Sequence, residues 1–314
     1  MATLHLIPAN INLNFISRKK LFFMFSCLLV IASLGVLAVN GLNFGIDFKG
    51  GILIEIRTQG PADIGGMRKQ LRQLDLGEVA LQEFGEPEEV LIRVQKQDGG
   101  EKAQQAAVAK IKQTLGSDVE YRRSEFVGPK VSQELFMDGV MAVGFAIIAI
   151  LVYVWFRFEW QFGVAAVIAL THDVISTIGL FALFGLEFNL STVAAILTIA
   201  GYSINDTVVV FDRVRENLRK YKKKALPELL NTSINETLSR TIITSLTTLL
   251  ALIALYTLGG AVIRDFSFAM IWGVIIGTYS SINLAVPLLL YMNLQRSDIS
   301  QSGDGKEAVS GQTP

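Results

Sequence analysis

Six long apolar segments constrain what this chain can fold into more than any other feature of its sequence. Of the 314 residues, 51% are hydrophobic and only 18% are charged, and a helix that crosses a lipid bilayer needs about 20 consecutive apolar residues. The first segment follows three basic residues, Arg18–Lys20, but no small-residue cleavage site comes after it, so we interpret it as a retained anchor. The predicted spans are residues 21–39, 135–156, 162–186, 190–211, 241–258 and 266–292.

Basic residues collect on one side of these spans. Seven lysines and arginines lie between Arg213 and Lys224, after the fourth span, and Arg157 lies between the second and the third. The connections on the other side, residues 185–189 and 259–265, carry a single basic residue. Because short basic connections stay in the cytoplasm, both termini are predicted to be cytoplasmic. The predicted cytoplasmic segments are residues 1–20, a basic helix and connection at 212–240, and a disordered tail at 293–314.

The segment between the first two spans, residues 40–134, is then predicted to lie outside the cytoplasm as a domain of its own. Its stretch GILIEIRT, Gly51–Thr58, alternates apolar and polar side chains as a strand does. The order βαββαβ predicted for this segment is typical of a ferredoxin-like split sandwich. We therefore predict a polytopic α-helical membrane protein with six transmembrane helices and a small α+β ferredoxin-like periplasmic domain between helices 1 and 2. The elements after the first strand are a helix at 61–74, strands at 79–84 and 90–95, a helix at 101–115 and a strand at 118–124.

Asp206 is a carboxylate inside the fourth predicted span, and the apolar residues Val208–Phe211 still follow it. A charge at mid-bilayer costs about 2.5–3.5 kcal/mol, so an ionisable residue there is a candidate for function. Arg240 lies at the start of the fifth span, at a depth similar to that of Asp206. A carboxylate and an arginine paired in this way can exchange a proton as the site becomes accessible from one membrane face and then from the other. The alternatives are that Asp206 caps a helix that ends early, and that Arg240 reaches lipid headgroups. The residues alone leave both interpretations open.

A second polar pair, His172-Asp173, lies near the middle of the third span. Adjacent helical residues point about 100° apart, so we expect these two side chains not to pair with each other. Both are expected to face the interior of the bundle, either as secondary relay positions towards Asp206 or as hydrogen-bonding contacts between helices. Asn205 is a third secondary relay candidate, and hydrogen bonding across helices is its alternative role.

The sequence argues against several other classes of protein. Its single cysteine, Cys27, excludes an intramolecular disulfide framework, and neither zinc-ligand spacing nor a phosphate-binding glycine loop is present. No serine or cysteine in a strained-turn motif accompanies the His172-Asp173 pair, so we expect no enzyme. We likewise expect no metal, no cofactor and no nucleic-acid partner.

Three blocks of the sequence resemble the signature blocks of the SecF family. They are GIDFKGG at Gly45–Gly51, AGYSINDTVVVFDRVREN at Ala200–Asn217 and INETLSRTIITSLTTLLALIALYTLGG at Ile234–Gly260. SecF proteins are the smaller membrane subunits of the bacterial SecDF protein-export factor, within the resistance–nodulation–division superfamily. The resemblance extends from about Asn12 to Leu294, with the span count and spacing of that family.

The resemblance implies a function in late preprotein translocation across the bacterial inner membrane, with protons as the coupling ion. It implies that Asp206 and Arg240 take part in the proton-driven step. Gly50 and Gly51 lie at the junction to the exterior domain, where they form either a hinge or a tight turn. The implied partners are SecD, the SecYEG translocon, YajC and the preprotein, and the basic residues 213–224 suit anionic lipid. Two alternatives stay open: a non-transporting assembly or scaffold subunit, and a subunit of a proton-coupled small-molecule exporter.

Overall fold

The computed structural model describes residues 12–292 and 294. Six of its helices are long and apolar enough to cross a membrane, which confirms the predicted number of spans. In chain order the helices are α1 (Lys19–Asn40), α2 (Ile46–Lys49), α3 (Ile64–Arg72), α4 (Gly100–Leu115), α5 (Pro129–Arg157), α6 (Trp160–Phe184), α7 (Leu190–Lys220), α8 (Leu226–Leu258), α9 (Ala261–Ser280) and α10 (Val286–Leu288). The strands are β1 (Asn43–Phe44), β2 (Gly51–Thr58), β3 (Val79–Phe84), β4 (Glu86–Val94), β5 (Val119–Val127) and β6 (Glu187–Phe188).

Local sequence signals set where several spanning helices begin and end. Pro129 is the first residue of α5, where its fixed φ suits the helix and its missing N–H leaves no hydrogen bond unmade. Asn189 caps α7: its carboxamide oxygen accepts the Thr192 N–H at 3.1 Å, and the Thr192 hydroxyl accepts the Asn189 N–H at 3.3 Å. Gly185 ends α6 in the left-handed conformation that glycine adopts most readily.

The sixth span is not one continuous α-helix. A π-helical turn, Ser281–Ala285, follows α9 and leads into α10 and a final 3-10 turn, Leu289–Tyr291. Pro287 lies just after the π turn, and it has no N–H to donate while its ring crowds the carbonyl four residues earlier. Regular α-helical hydrogen bonding is therefore disfavoured at this point of the span.

The segment 212–240, predicted as a basic helix and connection, contains the end of α7, a connection and the start of α8. α7 continues unbroken to Lys220, and α8 begins at Leu226, so only five residues connect the two helices. The helices continue because apolar residues beyond the predicted spans pack together: Leu230 of α8 and Val214 of α7 are both fully buried in one core. The bundle thus extends well past the predicted ends of the fourth and fifth spans.

Residues 51–127 form a compact domain, called the sheet domain below. Its four strands lie in the order β3-β4-β2-β5, and all neighbouring strands are antiparallel. On the central strand β2, Ile54 lies opposite Ile92 of β4 and Ser124 of β5. The elements follow one another as βαββαβ, which is the predicted order. Isoleucines of the sheet share a buried core with Leu71 of α3 and Ile111 of α4.

Short elements join the sheet domain to the helix bundle. β1 and β6 form a two-stranded parallel sheet in which Asn43 lies opposite Glu187. Four phenylalanine rings pack around this connection with centroids 5.8–6.1 Å apart: Phe44, Phe48, Phe136 and Phe188. These contacts place the sheet domain where α7 begins, at the domain end of the bundle; the connection between α7 and α8 lies at the opposite, basic end. The predicted disordered tail, 293–314, lies outside the described residues apart from Leu294.

Candidate functional site

Asp173 of α6 is the centre of a buried cluster of polar side chains. Its carboxylate is fully buried. The Oδ2 atom accepts hydrogen bonds from the Ser203 hydroxyl of α7 at 2.6 Å and from the Ser280 hydroxyl of α9 at 2.7 Å. The Oδ1 atom lies 2.9 Å from Nδ1 of His172. A polar group removed from water is tolerated when it is paired, and here three helices supply the partners.

The contact between His172 and Asp173 shows that our expectation about these neighbours was wrong. That expectation rested on the angle between adjacent side chains. Adjacent Cα atoms are only about 3.8 Å apart, however, so two side chains that both bend along the helix can still meet. Both residues lie in the interior of the bundle, as predicted. The imidazole is 4% exposed, and within the described part of the chain its Nε2 atom has no hydrogen-bond partner.

Asp206 lies inside the bundle on α7, which continues about four turns beyond it. The side chain is 8% exposed. The Thr241 hydroxyl of α8 donates a hydrogen bond to its Oδ1 atom at 2.8 Å. Its buried Oδ2 atom has no hydrogen-bond partner in residues 12–292 or 294. The helix does not end early at Asp206, and one oxygen of this carboxylate is available to a further partner.

Arg240 does not form the predicted pair with Asp206 in this structure. Its side chain is exposed, and it makes no ion pair with any carboxylate of the described residues, although it is near enough to act on Asp206 through space. The reason is helical geometry: Thr241 faces Asp206, so the preceding residue points about 100° away. Asn205 is exposed as well, and the structure does not bring it into the cluster.

Further buried hydroxyls contact one another near Asp173 and Asp206. The Thr207 and Ser281 hydroxyls are 2.8 Å apart, and Ser281 also donates to the carbonyl of Ser203 at 3.4 Å. Since Ser203 binds Asp173 and Thr207 follows Asp206 in the chain, these contacts join the surroundings of the two carboxylates. Sequence reasoning missed all of these hydroxyl residues. The signal that was present is the Ser280-Ser281 pair in the middle of an apolar span.

Two glycines allow α9 to approach α7 closely enough for these contacts. A Cβ atom on Gly277 would lie 3.2 Å from the Ser203 Cβ, and a Cβ atom on Gly273 would collide with the side chain of Ile199. Small residues at a spacing of four are a common means of close helix packing in membranes. The cluster around Asp173 therefore depends on Gly273 and Gly277 as well as on its polar members.

Gly50 and Gly51 form the tight turn that the sequence left open as an alternative to a hinge. Both have positive φ angles, 72° and 128°, which favour glycine. The Gly50 N–H donates to the Ile46 carbonyl at 2.8 Å, ending α2, and β2 begins at Gly51. A Cβ atom on Gly51 would lie 2.5 Å from the carbonyl oxygen of Val94, so any other residue there would displace the neighbouring strand. The hinge stays a prediction.

An ion pair crosses from the sheet domain to the domain end of the bundle. Arg93 of β4 pairs with Glu187 of β6, and its guanidinium also donates to the Asn43 carboxamide at 3.3 Å. Burial raises the pKa of the Glu187 carboxyl above its usual range, and the neighbouring carboxylates Asp265 and Asp47 add to that rise. The Arg93 guanidinium opposes it.

At the basic end, residues interpreted as topology signals also make specific contacts. Arg157 binds both carboxylate oxygens of Asp212, at 2.7 and 2.8 Å, and Arg215 pairs with Glu159 at 3.0 Å. These pairs hold the connection between α5 and α6 against α7. No group of three or more His, Cys, Asp or Glu side chains in residues 12–292 and 294 is arranged to hold a metal ion.

Two family models match the chain. The model described as protein export membrane protein SecD/SecF, C-terminal, matches residues 107–295. The model described as the SecD/SecF GG motif matches residues 35–62. The second match covers the turn at Gly50 and Gly51, and the first covers every residue of the buried cluster.

Curated relatives and solved structures agree with these matches. The chain is 48% identical to a protein translocase subunit SecF of Rickettsia rickettsii over 290 residues, which cover 91% of this chain and 94% of the relative. It is 45% identical to the SecF subunit of Cereibacter sphaeroides, with 93% of each chain covered. The crystal structure of SecDF from Thermus thermophilus, a translocon-associated membrane protein, matches with a TM-score of 0.83 and 37% identity. That match covers 91% of this chain and 39% of the SecDF chain.

Proposed function

Because this chain belongs to the SecF family, we propose that it acts as the SecF subunit of a SecDF complex in protein export across a bacterial inner membrane. The relatives that cover almost its whole length are translocase subunits. The chain spans about two fifths of the Thermus SecDF chain. A separate SecD subunit would supply the rest, because six spans with one exterior domain amount to half of a transporter built from two repeats.

The proposed placement in the membrane puts both termini in the cytoplasm and the sheet domain in the periplasm. The basic residues at the end opposite the sheet domain support this orientation. The strand order β3-β4-β2-β5, with α3 and α4 as crossovers, supports a ferredoxin-like split sandwich for the sheet domain. Anionic lipid is a further proposed partner, at the basic residues 213–224.

The proposed coupling ion is the proton, and Asp206 is the residue proposed to carry it. The observation behind this proposal is the carboxylate buried in a span with one oxygen bonded to Thr241 and the other without a described partner. An ionisable residue so placed is expensive to keep, and it marks ion pathways in membrane proteins. Each proton that crosses the membrane potential releases about 2.3 kcal/mol per 100 mV, which is enough to shift a two-state equilibrium severalfold.

Thr241 and Arg240 offer two alternative partners for Asp206. They occupy adjacent positions of α8, so a rotation of that helix by about 100° would exchange them. The Thr241 hydroxyl can donate to Asp206 in either charge state, whereas only a charged Asp206 attracts the guanidinium of Arg240 strongly. In this proposal the proton selects between two arrangements of α8, and the sheet domain moves with them while it holds an emerging preprotein.

The His172-Asp173 pair is proposed to have a secondary role in the same pathway. Asp173 is bonded on both oxygens, so it suits a fixed position beside the path better than the central exchanging site. The hydroxyls of Ser203, Ser281 and Thr207 extend the polar contacts of Asp173 to the residue that follows Asp206 in the chain. SecYEG and YajC remain proposed partners of the assembled complex, and no enzymatic activity is proposed.

Export in membrane vesicles whose only SecF is this chain tests the proposal. We expect Asp206→Asn to abolish the proton-driven part of preprotein translocation and leave the ATP-driven part intact. Asp212→Asn is the matched control, because Asp212 lies on the same helix but outside the buried cluster. Full proton-dependent export by the Asp206 variant would contradict proton coupling and favour a scaffold subunit. Proton flow through the complex that responds to small hydrophobic molecules rather than to preprotein would favour the exporter alternative.

A further inference from the structure

One ion pair joins the sheet domain to the short strand that leads into the helix carrying Asp206. Arg93 and Glu187 form an ion pair with side chains that are 17% and 14% exposed. Within residues 12–292 and 294 it is the only ion pair between the sheet domain and the bundle. Because it is largely removed from water, it is screened less than an exposed pair would be, and breaking it leaves a buried charge unpaired.

On the sheet-domain side, this contact is anchored in a central strand. Arg93 lies on β4, opposite Leu53 of β2 and opposite Ala80 of β3. A residue with strand partners on both sides is fixed relative to the whole sheet. A force applied to the Arg93 guanidinium therefore acts on the whole sheet domain as a rigid body.

On the bundle side, the contact is anchored in the start of α7. Glu187 lies just before the capping box of Asn189 and Thr192, and its own carbonyl accepts the Thr192 hydroxyl at 3.1 Å. The carboxylate of Asp47, in α2 just before the sheet domain, accepts a hydrogen bond from the N–H of Leu190 at 3.0 Å. Leu190 is the first residue of α7. Asp206 lies about 24 Å farther along the same unbroken helix. Hydrogen bonds therefore tie Glu187 and Asp47 to the first turn of α7.

Away from this contact, the sheet domain and the bundle leave an open cleft. A space of about 570 Å³ separates Arg57 and Glu86 of the sheet domain from Tyr256 and Arg264 near the connection between α8 and α9. The sheet domain is therefore in contact with the bundle through the ion pair on the α7 side and is separated from it by a cleft on the α8 side.

We propose that Arg93 is a positioning residue that couples α7 to the sheet domain through Glu187. The inference rests on the proposed proton-driven function and adds the path by which a change at Asp206 reaches the exterior domain. Arg93 touches neither proton nor preprotein in this proposal. Its role is to make the domain follow the helix.

The test measures two quantities in the same SecDF-containing vesicles, proton uptake and preprotein export. We expect Arg93→Gln and Glu187→Gln to keep proton uptake near the native rate and to lose most proton-driven export. The exchanged pair, Arg93→Glu with Glu187→Arg, is expected to restore export because the attraction is preserved. Arg122→Gln is the matched control: it breaks an ion pair with Glu89 that lies entirely within the sheet domain, and export should be retained.

Several outcomes would overturn the inference. Native-level export by Arg93→Gln would show that the contact does not couple α7 to the sheet domain. So would a joint loss of proton uptake and export that the exchanged pair does not restore. An equal loss in Arg122→Gln would assign the effect to domain stability, which recovery of each variant with SecD checks independently. Asp206→Asn in the same series separates the two proposals. If that variant keeps proton-driven export, the proposed function fails. If Asp206→Asn loses proton-driven export while Arg93→Gln keeps it, only the role of Arg93 is removed.

Discussion

The two buried carboxylates of the bundle differ in how completely they are paired. Asp173 has partners on both oxygens, contributed by three helices, and removing any one of them would leave part of a buried acid unsatisfied. Asp206 has a single donor, Thr241, and a second oxygen without a described partner. A fully paired acid stabilises one arrangement of helices, and a partly paired acid can change partner. This difference is why we place the exchanging proton at Asp206.

Glu187 leads to a pH-dependent prediction. Burial raises its pKa, the carboxylates of Asp47 and Asp265 reinforce the rise, and Arg93 opposes it. A raised pKa means that the folded chain holds the proton to higher pH than the unfolded chain does. The resulting stabilisation of the folded chain is complete below the ordinary glutamate pKa of about 4.3. It is lost as the pH rises through the pKa that Glu187 has in the folded state.

The measurement is the unfolding temperature of the native chain and of Glu187→Gln between pH 4 and pH 8, each in complex with SecD. We expect the native chain to lose stability relative to the variant as pH rises. Gly144→Ala of α5 removes no titrating group, and its new methyl group meets no atom of the described chain within 4 Å; it serves as the control and should give a difference that does not change with pH. A difference between native chain and Glu187 variant that is independent of pH would contradict the assignment.

At the scale of elements, α7 and α9 form the contact on which the polar cluster depends. Gly273 and Gly277 remove the side chains that would otherwise separate the helices. At the end of α9, Ser280 reaches Asp173 of α6, while Ser281, the first residue of the π turn, reaches Thr207 of α7. One short segment of the sixth span therefore binds two helices at once, which makes its local geometry decisive for the cluster.

Gly273→Ala tests this close packing. The new methyl group would overlap the buried side chain of Ile199, so we expect a destabilisation of about 1–3 kcal/mol, as for other overpacked cores. Gly144→Ala on α5, where a methyl group meets no atom of the described chain within 4 Å, should be neutral or slightly stabilising. The measurement is thermal unfolding of the purified complex, and equal stability of the two variants would mean that α7 and α9 can separate without cost.

At the scale of the whole molecule, the proposed function makes this chain one half of a transporter. Its match covers about two fifths of a SecDF chain. Polar groups of the fourth and fifth spans, Asn205 and Arg240, are exposed on the isolated bundle. Exposed polar groups at membrane depth are expensive in lipid, so a partner subunit is expected to cover them.

Co-expression with SecD is therefore expected to stabilise the chain. The unfolding temperature in detergent should rise when SecD is bound, because the partner binds the folded form only. An unrelated membrane protein expressed at the same level is the control and should have no effect. The same unfolding temperature with and without SecD would contradict a shared interface on this face of the bundle.

The sequence by itself determined the six spans and the order of elements in the sheet domain, and it made Asp206 a candidate site residue, because apolar length, strand alternation and the cost of a buried charge are local properties. Tertiary structure decided which groups meet. It placed Thr241 rather than Arg240 at Asp206, paired His172 with Asp173, and joined α7 to the sheet domain through Glu187. Those contacts depend on helix rotation and on the close approach that glycines permit. Neither is encoded in the spacing of residues along a single helix.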